Sequence, residues 1–324
     1  MFLRSPLRLL LFVLLVANSS FSFAQPAAKK KAPPARPEPM VADFVYGKDS
    51  ERQKFDFWKA KSDSPTPLVL LIHGGGWTGG DKTSYGTNVI QPFLDQGISV
   101  AALNYRFIPQ AMEQKVEPPV KAPLHDAARA LQTIRSKAKE WNIDVKRVGA
   151  TGGSAGACTS LWLAFHDDLA DPTSTDPIAR ESSRLSCAAV SGAQTSLDPK
   201  QLREWISNAE YGGHAFGFYA GPGKRPDEFE LLIANREKVL PWIKEYSPIE
   251  LVTTDDPPVY LDYPNQKTPP VLGGVERDPT HSAMYAVKLA EKMKMIGLEV
   301  VVSYPGNEDT KYGSITKFLI EKLK

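Results

Sequence analysis

Two hydrophobic rhythms alternate along this chain. Residues 67–72 (PLVLLI) and 97–105 (GISVAALNY) are nearly unbroken apolar runs, the pattern of strands covered on both faces. Between them and the chain end the period lengthens. Leu124, Ala127, Ala128, Leu131, Ile134, Ala138 and Trp141 form one apolar stripe, which predicts a helix over 124–141. Leading strands are expected at 42–46 and 54–59. A strand over 146–151 should feed an apolar helix over Ala155–Phe165. Further strands are expected at 186–190, 258–261 and 298–303, with helices over 282–296 and Ile315–Leu323. This alternation argues an α/β fold, a mostly parallel sheet with helices on both faces. The rhythm fails over 194–247, where Trp205, Trp242 and other aromatics gather; the segment is expected to be a small inserted cap over the site.

The start of the chain follows neither rhythm. Arg4 and Arg8 precede the apolar run 9–16 and a small-x-small sequence, Ser22-Phe23-Ala24, so residues 1–24 are expected to be a signal peptide. The run is short for a bilayer span, which needs roughly 20 residues, although a retained anchor is the alternative. Residues 25–39 (QPAAKKKAPPARPEP) hold no core-forming side chain and predict a Pro/Lys/Ala-rich linker. The expectation is an exported protein, periplasmic or secreted, with residues 40–324 as one domain and no membrane association after leader removal.

Composition narrows the function. With 42% hydrophobic residues the domain can bury a large core unaided. The formal charge is +2, and setting aside the six basic residues and one acidic residue of 1–39 leaves −3. That balance does not suggest a nucleic-acid partner, and none is expected. Cys158 and Cys187 read as buried small hydrophobes, although export permits a disulfide between them. No Cys/His cluster has zinc-ligand spacing; neither metal nor another cofactor is expected.

Two glycine motifs carry the chemistry. Gly152, Ser154 and Gly156 match G-x-S-x-G, a turn that presents a serine between a strand and a helix. Flanking glycines suit it because a Cβ there would meet neighbouring backbone. At the end of the early strand stands His73-Gly74-Gly75-Gly76-Trp77. Its uncovered backbone N–H groups suit the oxyanion of an acyl-transfer intermediate. A phosphate cradle is the alternative, but Gly80-Asp81-Lys82-Thr83 lacks the spacing for one. His73 reads as a brace for the loop.

Together, LLIHGGGWTGGDK and GGSAG resemble the α/β-hydrolase superfamily, and within it the bacterial hormone-sensitive-lipase-like and feruloyl-esterase-like (BD-FAE) carboxylesterases, over most of residues 65–324. The resemblance implies an α/β-hydrolase fold, Ser154 as nucleophile and the N–H groups of Gly75, Gly76 and Ala155 as oxyanion hole. Trp77, in the same loop, is expected at the substrate. His125, in Pro123-Leu124-His125-Asp126, is implied to be structural. The family's Asp-Pro pattern after the late strand falls on Asp278-Pro279, with Glu276 and Asp262 as rivals for the acid.

The resemblance then breaks. Family members usually carry the catalytic histidine just after the last strand, in a loop often beginning Tyr-Pro-Gly. Here Tyr304-Pro305-Gly306 leads into 307–314 without a histidine, and the chain has five in all: His73, His125, His166, His214 and His281. A serine without a base is a poor nucleophile. His281, three residues past Asp278, is the first candidate for the base. His214, in the cap segment, is the second, or else contacts substrate. His166 reads as a helix-terminus residue. The loop after Gly306 is expected beside Ser154, with Tyr312 nearest the vacant position and in contact with substrate. A weakened or lost triad remains a third possibility.

Two functions fit. One is an exported serine esterase acting on small esters or carbohydrate acyl esters. The other is a non-catalytic relative whose pocket binds an ester, a sugar or a protein partner.

Overall fold

Each continuous apolar run becomes an interior strand. The computed structural model of the chain describes Met1, residues 35–221 and residues 223–324. The signal peptide expected at 1–24 (Met1 apart) and the linker as far as 34 lie outside the described residues. Eight strands form one sheet: β1 (Val41–Val45), β2 (Lys54–Trp58), β3 (Thr66–Ile72), β4 (Ser99–Leu103), β5 (Ile143–Gly153), β6 (Cys187–Ser191), β7 (Val259–Asp262) and β8 (Val300–Ser303). Their order is β1-β2-β4-β3-β5-β6-β7-β8. β1 and β2 pair antiparallel, as do β2 and β4, and every later pair is parallel.

The helices are α1 (Thr87–Leu94), α2 (Ile108–Glu113), α3 (Lys121–Ser136), α4 (Ala138–Trp141), α5 (Ala155–Phe165), α6 (Pro199–Trp205), α7 (Arg225–Ala234), α8 (Arg236–Tyr246), α9 (Pro248–Leu251), α10 (Met284–Met295) and α11 (Ile315–Leu323). They cover both faces. Leu68, Leu70 and Ile72 of β3 join α3 and α5 in one core, while Val69 and Leu71 join α1 and α11 in a second. That split is the two-residue period of a strand sorted into two layers. α5 is buried at every residue, which suits a helix that is apolar all round. The predicted helix 124–141 starts a turn early and breaks at Lys137, and its second part stops where Asn142 turns left-handed at φ 57°.

The expectation for the end of the linker is corrected, and the reading of the two cysteines as buried small hydrophobes holds. The end of the linker is docked, not free. Thr87 donates to the Ala35 carbonyl and the Trp58 indole to Pro37, while Arg36 pairs with Asp56 at 2.7 Å. Asp56 is fully buried, and a buried carboxylate requires cationic partners; Arg36 and Lys82 supply them. The two cysteines are free and lie in opposite cores, so they do not pair. Burial pushes the Cys187 thiol up to about 12. Among the described residues no helix is long and apolar enough to cross a membrane.

Candidate active site

β5 delivers Ser154 into a backbone conformation that non-glycine residues avoid, φ 54° and ψ −123°. Such strain persists only where the surroundings enforce it. Here the Ser154 N–H donates to the Ser191 carbonyl (3.0 Å) and the Ser154 carbonyl accepts from Cys158 (2.9 Å). A Cβ on Gly152 or Gly156 would strike the Ile72 carbonyl, so both flanking positions admit only glycine. The turn is thereby pressed against the end of β3.

The loop after β3 meets this turn. A Cβ on Gly74 would stand 2.6 Å from the Gly153 oxygen and 3.5 Å from the Ser154 Cβ. Gly75, Gly76 and Trp77 follow at φ 104°, 60° and 54°, and the Gly75 carbonyl accepts from Thr78 (3.0 Å) and Gly79 (3.1 Å). His73 braces the loop as read from sequence. Its Nδ1 lies 2.8 Å from the Gly74 carbonyl, its ring stacks on Tyr105 at 4.2 Å, and burial drives its pKa down to about 4. Ala155 is the first residue of α5, where helix geometry leaves the N–H without an intrahelical partner.

The acid and base candidates arrive from the loop between β7 and α10. A 3-10 turn, Pro279–His281, sets His281 Nε2 2.9 Å from Ser154 Oγ and His281 Nδ1 2.8 Å from Asp278 Oδ2. Ser154 and His281, 127 positions apart in sequence, thus form one hydrogen-bonded line with Asp278. The rival carboxylates are engaged elsewhere. Glu276 accepts from Gln266 (3.1 Å) and Ser282 (3.1 Å). Asp262, half-buried at the end of β7, is held above the usual carboxylate range by burial.

A family model supports the same reading of the two glycine motifs. The BD-FAE model matches residues 56–266, well over half of the chain. The chain belongs to the BD-FAE family. The matched span of this BD-FAE protein holds Ser154 and the glycine loop, whereas Asp278 and His281 lie beyond its end. Among curated proteins it is similar to the probable isoprenylcysteine alpha-carbonyl methylesterase ICMEL1 of Arabidopsis thaliana, at 28% identity over 143 residues, 44% of this chain and 28% of that protein. It is also similar to the probable carboxylic ester hydrolase LipM of Mycobacterium tuberculosis, at 29% over 128 residues, 38% of this chain and 28% of that one. The chain therefore spans under a third of the length of these relatives. Among solved structures, a truncated carbohydrate esterase from gut microbiota superposes with TM-score 0.62 at 20% identity, covering 89% of this chain and 98% of that one. The acetyl ester-xyloside bifunctional hydrolase from Caldicellulosiruptor lactoaceticus gives 0.57 at 22%, covering 83% and 86%. The shared architecture is the α/β-hydrolase fold.

Three expected substrate contacts of the BD-FAE protein are corrected. Trp77 is fully buried, and its indole donates to Thr159 Oγ1 at 3.0 Å; it anchors the glycine loop on α5 from below. His214 is fully buried as well, 5.8 Å from the Trp77 ring, 4.9 Å from Tyr211 and 3.8 Å from a Glu228 oxygen. Burial, aided by Arg225, holds it well below the ordinary histidine range, so it serves as neutral packing. Tyr312 lies at the wrong end of the sheet. Its hydroxyl donates to Glu299 (2.7 Å), just before β8, and its ring packs on Phe318 at 4.9 Å. The cause is local: the Asp309 carboxylate caps the Tyr312 and Gly313 N–H groups (2.8 and 2.7 Å) and turns the chain back along β8.

The cap expectation changes with them. The cavity at Ser154, about 320 Å³, is walled by Gly74, Gly192, Tyr263, Asn265 and His281 among others, and by none of the described residues of 194–247. That segment instead packs beside α5, where Trp162 donates to the Glu245 carbonyl (3.0 Å), and behind the glycine loop through His214. A larger cavity of about 790 Å³ shares Asn265 and His281 and is lined by Lys267, Glu276 and Arg277 from residues 265–277. His125 packs on Trp162 (5.2 Å) with its pKa lowered to about 4 by burial, a structural role. His166 follows α5 and bonds Glu245 at 2.9 Å. Sequence reasoning passed over the turn after β6, Ser191 to Gln194, which touches both Ser154 and the His281 turn. Its only signal was a glycine after an apolar strand.

Proposed function

We propose that this BD-FAE protein is a serine carboxylic ester hydrolase acting through an acyl-enzyme on Ser154. The observation that carries the reading is the 2.9 Å approach of His281 Nε2 to Ser154 Oγ, with Asp278 2.8 Å from Nδ1. With the Nδ1 proton donated to Asp278, Nε2 is free to accept. As Oγ attacks the ester carbon its proton passes to Nε2, and the carbonyl electron pair moves onto oxygen. The N–H groups of Gly75, Gly76 and Ala155 hold that oxyanion. The imidazolium then protonates the departing alkoxide, and a water repeats the sequence to release the acid. Side-chain exposures of 33% for His281 and 53% for Asp278 leave the line open to that water.

The finer reading is an exported enzyme acting on carbohydrate acyl esters. In its favour are the leader pattern at 1–24, the polar cavity beside His281 and the names of the structural neighbours. Against the binding-only alternative stands His281, which reaches Oγ from the β7 side.

Ser154→Ala and His281→Ala should each lower turnover of a short-chain aryl ester by roughly 10³-fold or more, and a fluorophosphonate should label Ser154. Parent-like rates in Ser154→Ala would place the chemistry elsewhere.

A further inference from the structure

We propose that Gln194 is a positioning residue for His281, acting through the turn that follows β6; this rests on the serine-esterase reading above. The turn touches both halves of the line. Its first residue, Ser191, accepts the Ser154 N–H at 3.0 Å. Gly192, at φ 59°, donates to the Asp262 carbonyl (2.8 Å) and stands close beside the imidazole. A Cβ there would stand 3.3 Å from His281 Cδ2 and 3.6 Å from its Cβ and Cγ. Gln194, fully buried, donates from Nε2 to the Thr280 carbonyl (2.7 Å) and to the Gly192 carbonyl (3.1 Å). Both partners are acceptors, which fixes the orientation of the amide.

The side chain is chosen for its donors. Gln194 Oε1 is buried without a partner among the described residues, a cost that an apolar side chain of the same length would avoid. What the amide gains is a clasp on the residue before His281. That residue needs one. The turn Pro279–His281 is a single 3-10 turn at the end of an irregular stretch, closed internally by the His281 N–H to the Asp278 carbonyl at 3.1 Å. No strand delivers the base. One turn that binds the nucleophile's backbone, packs on the imidazole and ties down Thr280 sets the Oγ–Nε2 separation, and an error of about 1 Å there costs on the order of 100-fold in rate.

The test uses the full chain with Gln194→Met, close in length but without the donors, and Gly192→Ala, which keeps the amide and crowds the imidazole. Initial rates on a short-chain aryl ester are normalised to active sites titrated with a fluorophosphonate. Both variants should lose roughly 10–100-fold in kcat per titrated site with KM within about twofold, and the phosphonylation rate of Gln194→Met should fall by the same factor. A kcat per site within about twofold of the parent for Gln194→Met overturns the proposal. So does a loss confined to KM or to the number of titratable sites, the signature of a merely structural residue. Ser154→Ala, run alongside, separates the layers. If it abolishes turnover while Gln194→Met does not lower kcat per site, the esterase reading stands and the positioning role falls; if it keeps the parent rate, both fall.

Discussion

Ser154 sits at φ 54° on a glycine-flanked turn, so the chain holds strain at the atom proposed to do chemistry. Strain of this kind is worth about 1–3 kcal/mol, and glycine relieves it at a modest entropic cost. Ser154→Gly should therefore raise the melting temperature by about 2–4 °C while abolishing turnover, whereas Ser154→Ala loses turnover and keeps the strain. Thermal melts of the two variants side by side check this. At this scale the serine was legible, because glycine spacing reports backbone crowding directly. Trp77 and His214 were misread because a motif's spacing says nothing about which way a side chain turns, and both turn inward. His281 was legible as the first candidate among five histidines, through its place three residues past Asp278. The 2.9 Å contact depends on where a long irregular loop ends.

Among elements, those with the strongest patterns were the most legible. The runs 67–72 and 97–105 became β3 and β4 because strands paired and covered on both faces must be apolar throughout. The segment 194–247 broke the strand-helix rhythm, and it is placed by burying Leu202, Phe229, Leu232, Val239 and Ile243 in the core shared with α5; the loop after β8 is set by polar contacts of Asp309 and Tyr312. Tyr312 shows the consequence. Its hydroxyl, with Lys322 and Lys311, holds the Glu299 carboxyl at about 2 against the upward push of burial. Tyr312→His should leave ester turnover within about twofold of the parent. Tyr312→Phe should cost about 1 kcal/mol of stability, the net worth of a typical hydrogen bond. Initial rates and denaturant midpoints of both variants test the placement, and a clear gain of activity in Tyr312→His would contradict it.

For the whole domain, two buried histidines, His73 and His214, and the partly buried His125 set the response to acid. Burial first of all lowers His73 and His125 to about 4 and holds His214 low as well, against about 6.5 in an unfolded chain. Between those values the unfolded chain binds more protons than the folded one, so stability rises with pH. It should be fully present above pH 6.5 and fall as the pH drops toward 4. Urea midpoints flat from pH 7 to 8 and declining steadily from 6.5 to 4 are the expected result; an unchanged midpoint across that lower window would mean that the three rings are not held neutral. Asp278 and His281 lie on the same turn, so their mutual alignment comes from local backbone geometry and travels with four residues. A designer grafting this chemistry onto another parallel sheet has one junction to aim at the serine, not two loops to aim independently. The final strand and closing helix then become structural freight, free to be chosen for stability alone.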